Sequence, residues 1–148
     1  MKSIARRRIT TRYTRIREAL GLILQNRSAV LASEVAELIG GVEGPDVVAV
    51  ARAEGLAVRR IARSYIVGRS EEDVDRFIAK LRDRVLERLA KLTSGCKTRM
   101  CCVRLAKLSE SNPVLSALYI ELLRGVDGVK IIRYHPDRGY RICLFRKK

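Results

Sequence analysis

Apolar side chains recur at three- and four-residue steps over residues 6–25, where Ile9, Tyr13, Ile16, Leu20, Ile23 and Leu24 fall on one helical face. Arginines 7, 8, 12, 15 and 17 occupy the remaining faces, which predicts a loose basic arm that becomes firm helix near Thr11 or Thr14. Ser33 suits the cap of a short second helix carrying Val35, Leu38 and Ile39, closed by Gly40 and Gly41. Pro45 suits the first turn of a third helix through Val47, Val48, Val50 and Ala51, stopped by Gly55. Residues 56–67 are rich in β-branched side chains and read as a strand or tight hairpin, with Arg59, Ile61, Arg63 and Tyr65 on one side.

Ser70 and Asp73 resemble a capping box, and from Val74 through Phe77, Ile78, Leu81, Val85, Leu89 and Leu92 the helical repeat is uninterrupted. Two uses fit so long a helix over 70–93: a core element, or the seam of a homodimer. Residues 99–108 alternate as a strand does. Asn112 and Pro113 then open a helix with Val114, Leu115, Leu118, Tyr119, Leu122 and Leu123 inward, ended by Gly125. Two strands, 129–134 and 140–146, flank a turn holding His135, Pro136, Asp137, Arg138 and Gly139. The expected class is α+β: a helical N-terminal part, a long central helix and a small antiparallel C-terminal sheet. One compact domain over 1–148 is expected, loosely divided into 1–69, 70–95 and 96–148. No internal repeat or low-complexity stretch is evident in the sequence.

Charge changes the picture. The chain carries a formal +15, and 23 of its 31 basic residues are arginine. Such a field attracts polyanions, and the planar guanidinium binds phosphate oxygens in pairs. Solubility alone needs much less charge. By segment, residues 1–33 carry +7, 34–54 carry −4, 55–69 carry +4, 70–95 carry zero and 96–148 carry +8.

Three helices followed by a β-ribbon over 11–67 resemble the order of a winged helix-turn-helix. In that family the third helix enters the major groove. Here that helix is flanked by Glu43, Asp46 and Glu54 and is apolar in its middle, so groove entry would be repulsive. The basic groups gather instead on the N-terminal arm (Arg6, Arg7, Arg8, Arg12, Arg15), on the ribbon (Arg59, Arg63) and on the C-terminal strands (Arg133, Arg138, Arg141, Arg146). Tyr65, Tyr134 and Tyr140 each stand close to one of them, as stacking platforms for unpaired bases would. Core or edge tyrosines are the alternative. In size, charge and the mix of helices with a basic sheet, the chain resembles archaeal single-stranded-DNA-binding proteins of the ThermoDBP type. The expected function is therefore non-enzymatic nucleic-acid binding, single-stranded DNA first. A duplex-binding winged-helix regulator or chromatin protein comes second, and an RNA-binding ribonucleoprotein component third.

Cys96, Cys101, Cys102 and Cys143 lack the paired spacing of a zinc site, and no metal or other cofactor is expected. Free buried thiols are the default reading, and Cys143 with Cys101 or Cys102 is the disulfide to test. His135 is the only histidine, and Glu71, Glu72, Asp73 and Asp75 suit a helix N-terminus, so no catalytic set emerges. One glutamine and two asparagines among so many charges point to a hyperthermophile, with an archaeal source the natural guess. The first ten residues lack the apolar run of a secretory signal, and no segment is apolar enough for a membrane span. A cytoplasmic location follows as an expectation.

Overall fold

The computed structural model describes residues 2–134 and 139–145, with side chains at 11–133 and 139–145. The chain divides into two compact units, Met1–Phe77 and Ile78–Lys148. The helical periodicity noted at the start of the chain produces α1 (Lys2–Asn26). No loose arm precedes it, because residues 2–10 hold good helix formers and neither Gly nor Pro. Next come β1 (Ala29–Leu31), α2 (Ala32–Ile39), α3 (Gly44–Ala53), β2 (Ala57–Ile61) and β3 (Ser64–Gly68).

The core of the first unit gathers Ile16, Leu20 and Leu24 from α1 with Val30, Val35, Val47, Val50 and Val67. Full burial of each such side chain stabilises by about 1.5–3 kcal/mol. Strand β1 is too short to show alternation, and all three of its residues are buried. Ser33 lies inside α2 and does not cap it; Leu31 occupies that position without a side-chain bond. Pro45 does sit in the first turn of α3, and Gly55 follows that helix at φ 75°.

The β2–β3 hairpin turns through Ala62 and Arg63, so Ile61 opposes Ser64 and Arg60 opposes Tyr65. Tyr65 therefore shares a face with Arg60 and not with Arg59 or Arg63, contrary to the alternation expected of one straight strand. The register follows from the two turn residues. Strand β1 completes an antiparallel sheet in the order β1-β3-β2. Gly68 cannot gain a side chain there: a Cβ would stand 2.9 Å from Val74 Cγ2 and 3.2 Å from the Ser28 carbonyl oxygen.

The boundary between units falls within α4 (Glu71–Leu92). Ser70 Oγ accepts from the Asp73 N–H at 3.2 Å, as its capping role requires. The second unit continues with β4 (Met100–Arg104), α5 (Leu105–Leu108), α6 (Pro113–Leu123), β5 (Val129–Tyr134) and β6 (Gly139–Phe145). The strand expected over 99–108 stops at Arg104, because Leu105 and Leu108 are buried one helical turn apart. Asn112 caps α6, its Oδ1 accepting from the N–H groups of Val114 and Leu115 at 3.0 and 3.2 Å. The sheet is antiparallel in the order β4-β6-β5, with Ile142 fully buried at its centre. The observed class is the expected one, helices with small antiparallel sheets.

All four cysteines are paired. Cys102 joins Cys143, directly opposite it across β4 and β6, with 4.0 Å between Cα atoms. Cys96 joins Cys101 at 6.0 Å. The free-thiol reading is thus corrected. Adjacent strand residues point to opposite faces, so Cys101 and Cys102 serve different bridges. Among the described residues, no helix is long and apolar enough to cross a membrane.

Candidate nucleic-acid interface

Carboxylates decide which arginines are available. In the stretch 34–54, Glu34 pairs with Arg27 at 3.0 Å. Glu43 and Asp46 form a reciprocal capping box at the start of α3, the Glu43 N–H donating to Asp46 Oδ2 at 2.9 Å. Glu54 accepts from the Tyr13 hydroxyl at 2.6 Å, a bond that raises the Tyr13 pKa above the ordinary phenol value. Glu37 has no such partner among the described residues. Most of the acidity around the third helix is thus engaged in building the unit. The outward side of α3 still offers little to a base: Pro45, Ala49, Arg52 and Ala53 are exposed there.

The basic residues singled out in the sequence fare differently from one another. Arg12 is exposed on α1, and Arg15 donates from Nη2 to the Ile39 carbonyl oxygen at 2.9 Å, satisfying the last turn of α2. Arg59 is held between Asp75 and Glu71 by ion pairs to both, which raise its pKa further and remove it from the list of free cations. Arg63 is exposed at the tip of the β2–β3 hairpin and has no ion pair among the described residues. Tyr65 packs against the first core, and the Arg60 guanidinium lies over its ring at 5.5 Å from the centroid. That ring is half-buried and already covered.

In the second unit, Arg133 is exposed and stands directly opposite Tyr140, itself 38% exposed. Arg141 is on the other face of the sheet, between Ile132 and Arg104 in the cross-strand rows. Neighbours in sequence, such as Tyr140 and Arg141, therefore do not form one platform. The cross-strand row supplies the pairing instead. The side chains of Arg6, Arg7, Arg8 and Tyr134 lie outside the described residues, as do Arg138, His135 and Arg146.

The sequence pattern left out Lys130 and Arg104, and it did not set Arg60 against Tyr65. Counting back from a two-residue turn at Ala62 and Arg63 would have placed Arg60 against Tyr65. Lys130 and Arg104 lie on the sheet face opposite to the buried Ile142, with Met100 and Phe145, which are exposed. In the first unit an open groove of about 280 Å³ has Leu20, Leu24 and Leu56 in its lining, together with Arg17 and Arg69. On α6, burial pushes the pKa of the half-buried Tyr119 phenol up. No protein-family model, curated protein or solved structure matches this chain.

Proposed function

We propose that this chain is a non-enzymatic DNA-binding protein that grips the phosphate backbone, of duplex DNA before single strands, with little sequence preference. The observation that carries the reading is the distribution of uncompensated charge. Arg12, Arg63 and Arg133 have no ion pair among the described residues, in a chain of net +15 whose carboxylates are largely engaged internally. Helix, short strand, two helices and a β-hairpin make a winged-helix-like frame in the first unit. The exposed side of its third helix carries Arg52 as its single polar side chain, so contact falls mainly to the hairpin and to α1, on phosphates rather than bases.

Single-strand binding, which the interleaved tyrosines favoured in the sequence, keeps one specific support: the exposed Tyr140 ring opposite Arg133. A homodimer seam along α4 is not part of the reading, because Val74, Val85 and Leu89 are buried within the chain. A cytoplasmic, hyperthermophilic setting accommodates the two disulfides, since intracellular proteins of such organisms carry them.

Fluorescence anisotropy with duplex DNA, single-stranded DNA and RNA of equal length, each at 50 and 200 mM salt, tests this. Duplex is expected to bind tightest, with affinity falling roughly a thousandfold over that salt range for about six phosphate contacts. Tighter binding to the single strand, with Tyr140→Ala costing about 1–3 kcal/mol, would replace the first reading by the second. Salt-insensitive binding, or none at 50 mM, would overturn both.

A further inference from the structure

We infer that residues 78–148 repeat the module formed by residues 1–77, so that one chain carries two DNA contact sites, each centred on an Arg–Tyr pair of a β-hairpin. The inference rests on the DNA-binding reading above and adds to it the second site and the residues at its centre.

Each unit runs helix, strand, helix, helix, strand, strand, and each sheet is antiparallel with its last strand in the middle, β1-β3-β2 and β4-β6-β5. The agreement continues at the level of single residues. In both units the first strand passes without a loop into the second helix. The junction residues Leu31 (φ −74°, ψ 135°) and Arg104 (φ −66°, ψ 136°) share one backbone conformation. An arginine of the first helix then satisfies the final carbonyl of the second: Arg15 Nη2 donates to Ile39 and Arg88 Nε to Leu108, both at 2.9 Å. The third helix begins at or beside a proline, Pro45 or Pro113, and is followed by a glycine of positive φ, Gly55 at 75° or Gly125 at 78°.

The sheets match row by row. Val30, Val67 and Val58 form the central row of the first, and Val103, Ile142 and Ile131 that of the second, with Val67 and Ile142 at 0% exposure. Two rows nearer the turn, Arg60 opposes Tyr65 in the first hairpin and Arg133 opposes Tyr140 in the second. Core packing accounts for the apolar central row, but both arginines of the outer row are exposed and fill no core. In the first hairpin the Arg60 guanidinium lies over the Tyr65 ring and its Nε donates to the Ala62 carbonyl oxygen at 3.0 Å, which leaves its two Nη groups for a phosphodiester oxygen pair; in the second, Arg133 faces Tyr140 by register. The elements differ in length between the units, the second helix having eight residues in the first and four in the second.

The test uses the full chain as wild type, Arg60→Ala, Arg133→Ala and the double variant. Each is titrated with a long duplex at several salt concentrations, with melting by circular dichroism in parallel. Each single substitution is expected to weaken binding about tenfold and reduce the salt slope by about one, and the double variant to lose about a hundredfold. Where a variant melts early, Arg60→Lys or Arg133→Lys replaces it. Lysine keeps the charge without the fork and should fall between wild type and alanine. Loss with Arg60→Ala but wild-type binding by Arg133→Ala, or the reverse, overturns the second site and leaves the DNA-binding reading standing. Wild-type binding by the double variant removes the Arg–Tyr pairs from the interface altogether. Failure of the wild-type chain to bind any duplex removes the underlying reading.

Discussion

The two units share one order of elements but are held together by different means. Residues 1–77 contain no cysteine and rest on an aliphatic core, a capping box and the Tyr13–Glu54 bond. Residues 78–148 rest on a core of their own, stapled by two disulfides, and their third helix is capped by Asn112. Charge divides them further. The first unit holds 14 basic and ten acidic groups, net +4, and the second holds 17 and six, net +11. The contrast teaches that connectivity depends on where prolines, glycines and apolar rows fall, whereas the bonds that fix it are interchangeable. It also leaves the second unit with much the larger positive charge.

Reduction should break the comparison most visibly. A dithiol reductant is expected to destabilise the second unit by about 4 kcal/mol through the Cys102–Cys143 loop and by about 2 kcal/mol through the Cys96–Cys101 loop. The sequence separations of 41 and 5 set that order. Hydrogen exchange at the Ile142 amide should accelerate while that of Val67 holds. Equal acceleration at both would show that the units do not stand independently. Truncation at the two sheet centres comes next. Ile142→Ala should cost about 3 kcal/mol and Val67→Ala about 2 kcal/mol, read from urea melts, each with exchange confined to its own unit.

Smaller effects sharpen the local differences. Asn112→Ala is expected to lose about 1 kcal/mol, because two backbone N–H groups lose their acceptor. A melting temperature unchanged by that substitution would mean the cap is dispensable beside the disulfides. Ala62 occupies φ 55° in the first hairpin turn, a region that opposes a Cβ. Ala62→Gly should therefore gain about 0.5–1 kcal/mol after glycine's greater unfolded-state entropy is subtracted. A loss would show that the turn tolerates alanine without strain.

How much could be read in advance varies along the chain. The limits of α3 and α6 were legible because Pro45, Gly55, Pro113 and Gly125 act on the backbone they belong to. The first strand of each sheet was missed or overrun. β1 is three residues long, and β4 gives way to helix at Leu105 under burial that no local pattern announces. In the candidate site, Arg63 and Arg133 are exposed as a reading of polar strands suggests. The ion pairs of Arg59 were not legible because its partners Glu71 and Asp75 are distant in sequence and belong to another element.

The sequence by itself determined the charge and the limits of α3 and α6, since each depends on a residue's own chemistry or on neighbours within a turn. Only the tertiary structure decided which carboxylates neutralise which arginines, which cysteines meet and which tyrosine stands against which arginine. Those outcomes turn on register, and register turns on the number of residues in a turn. Moving the hairpin pairing by one position carries a side chain to the other face of the sheet.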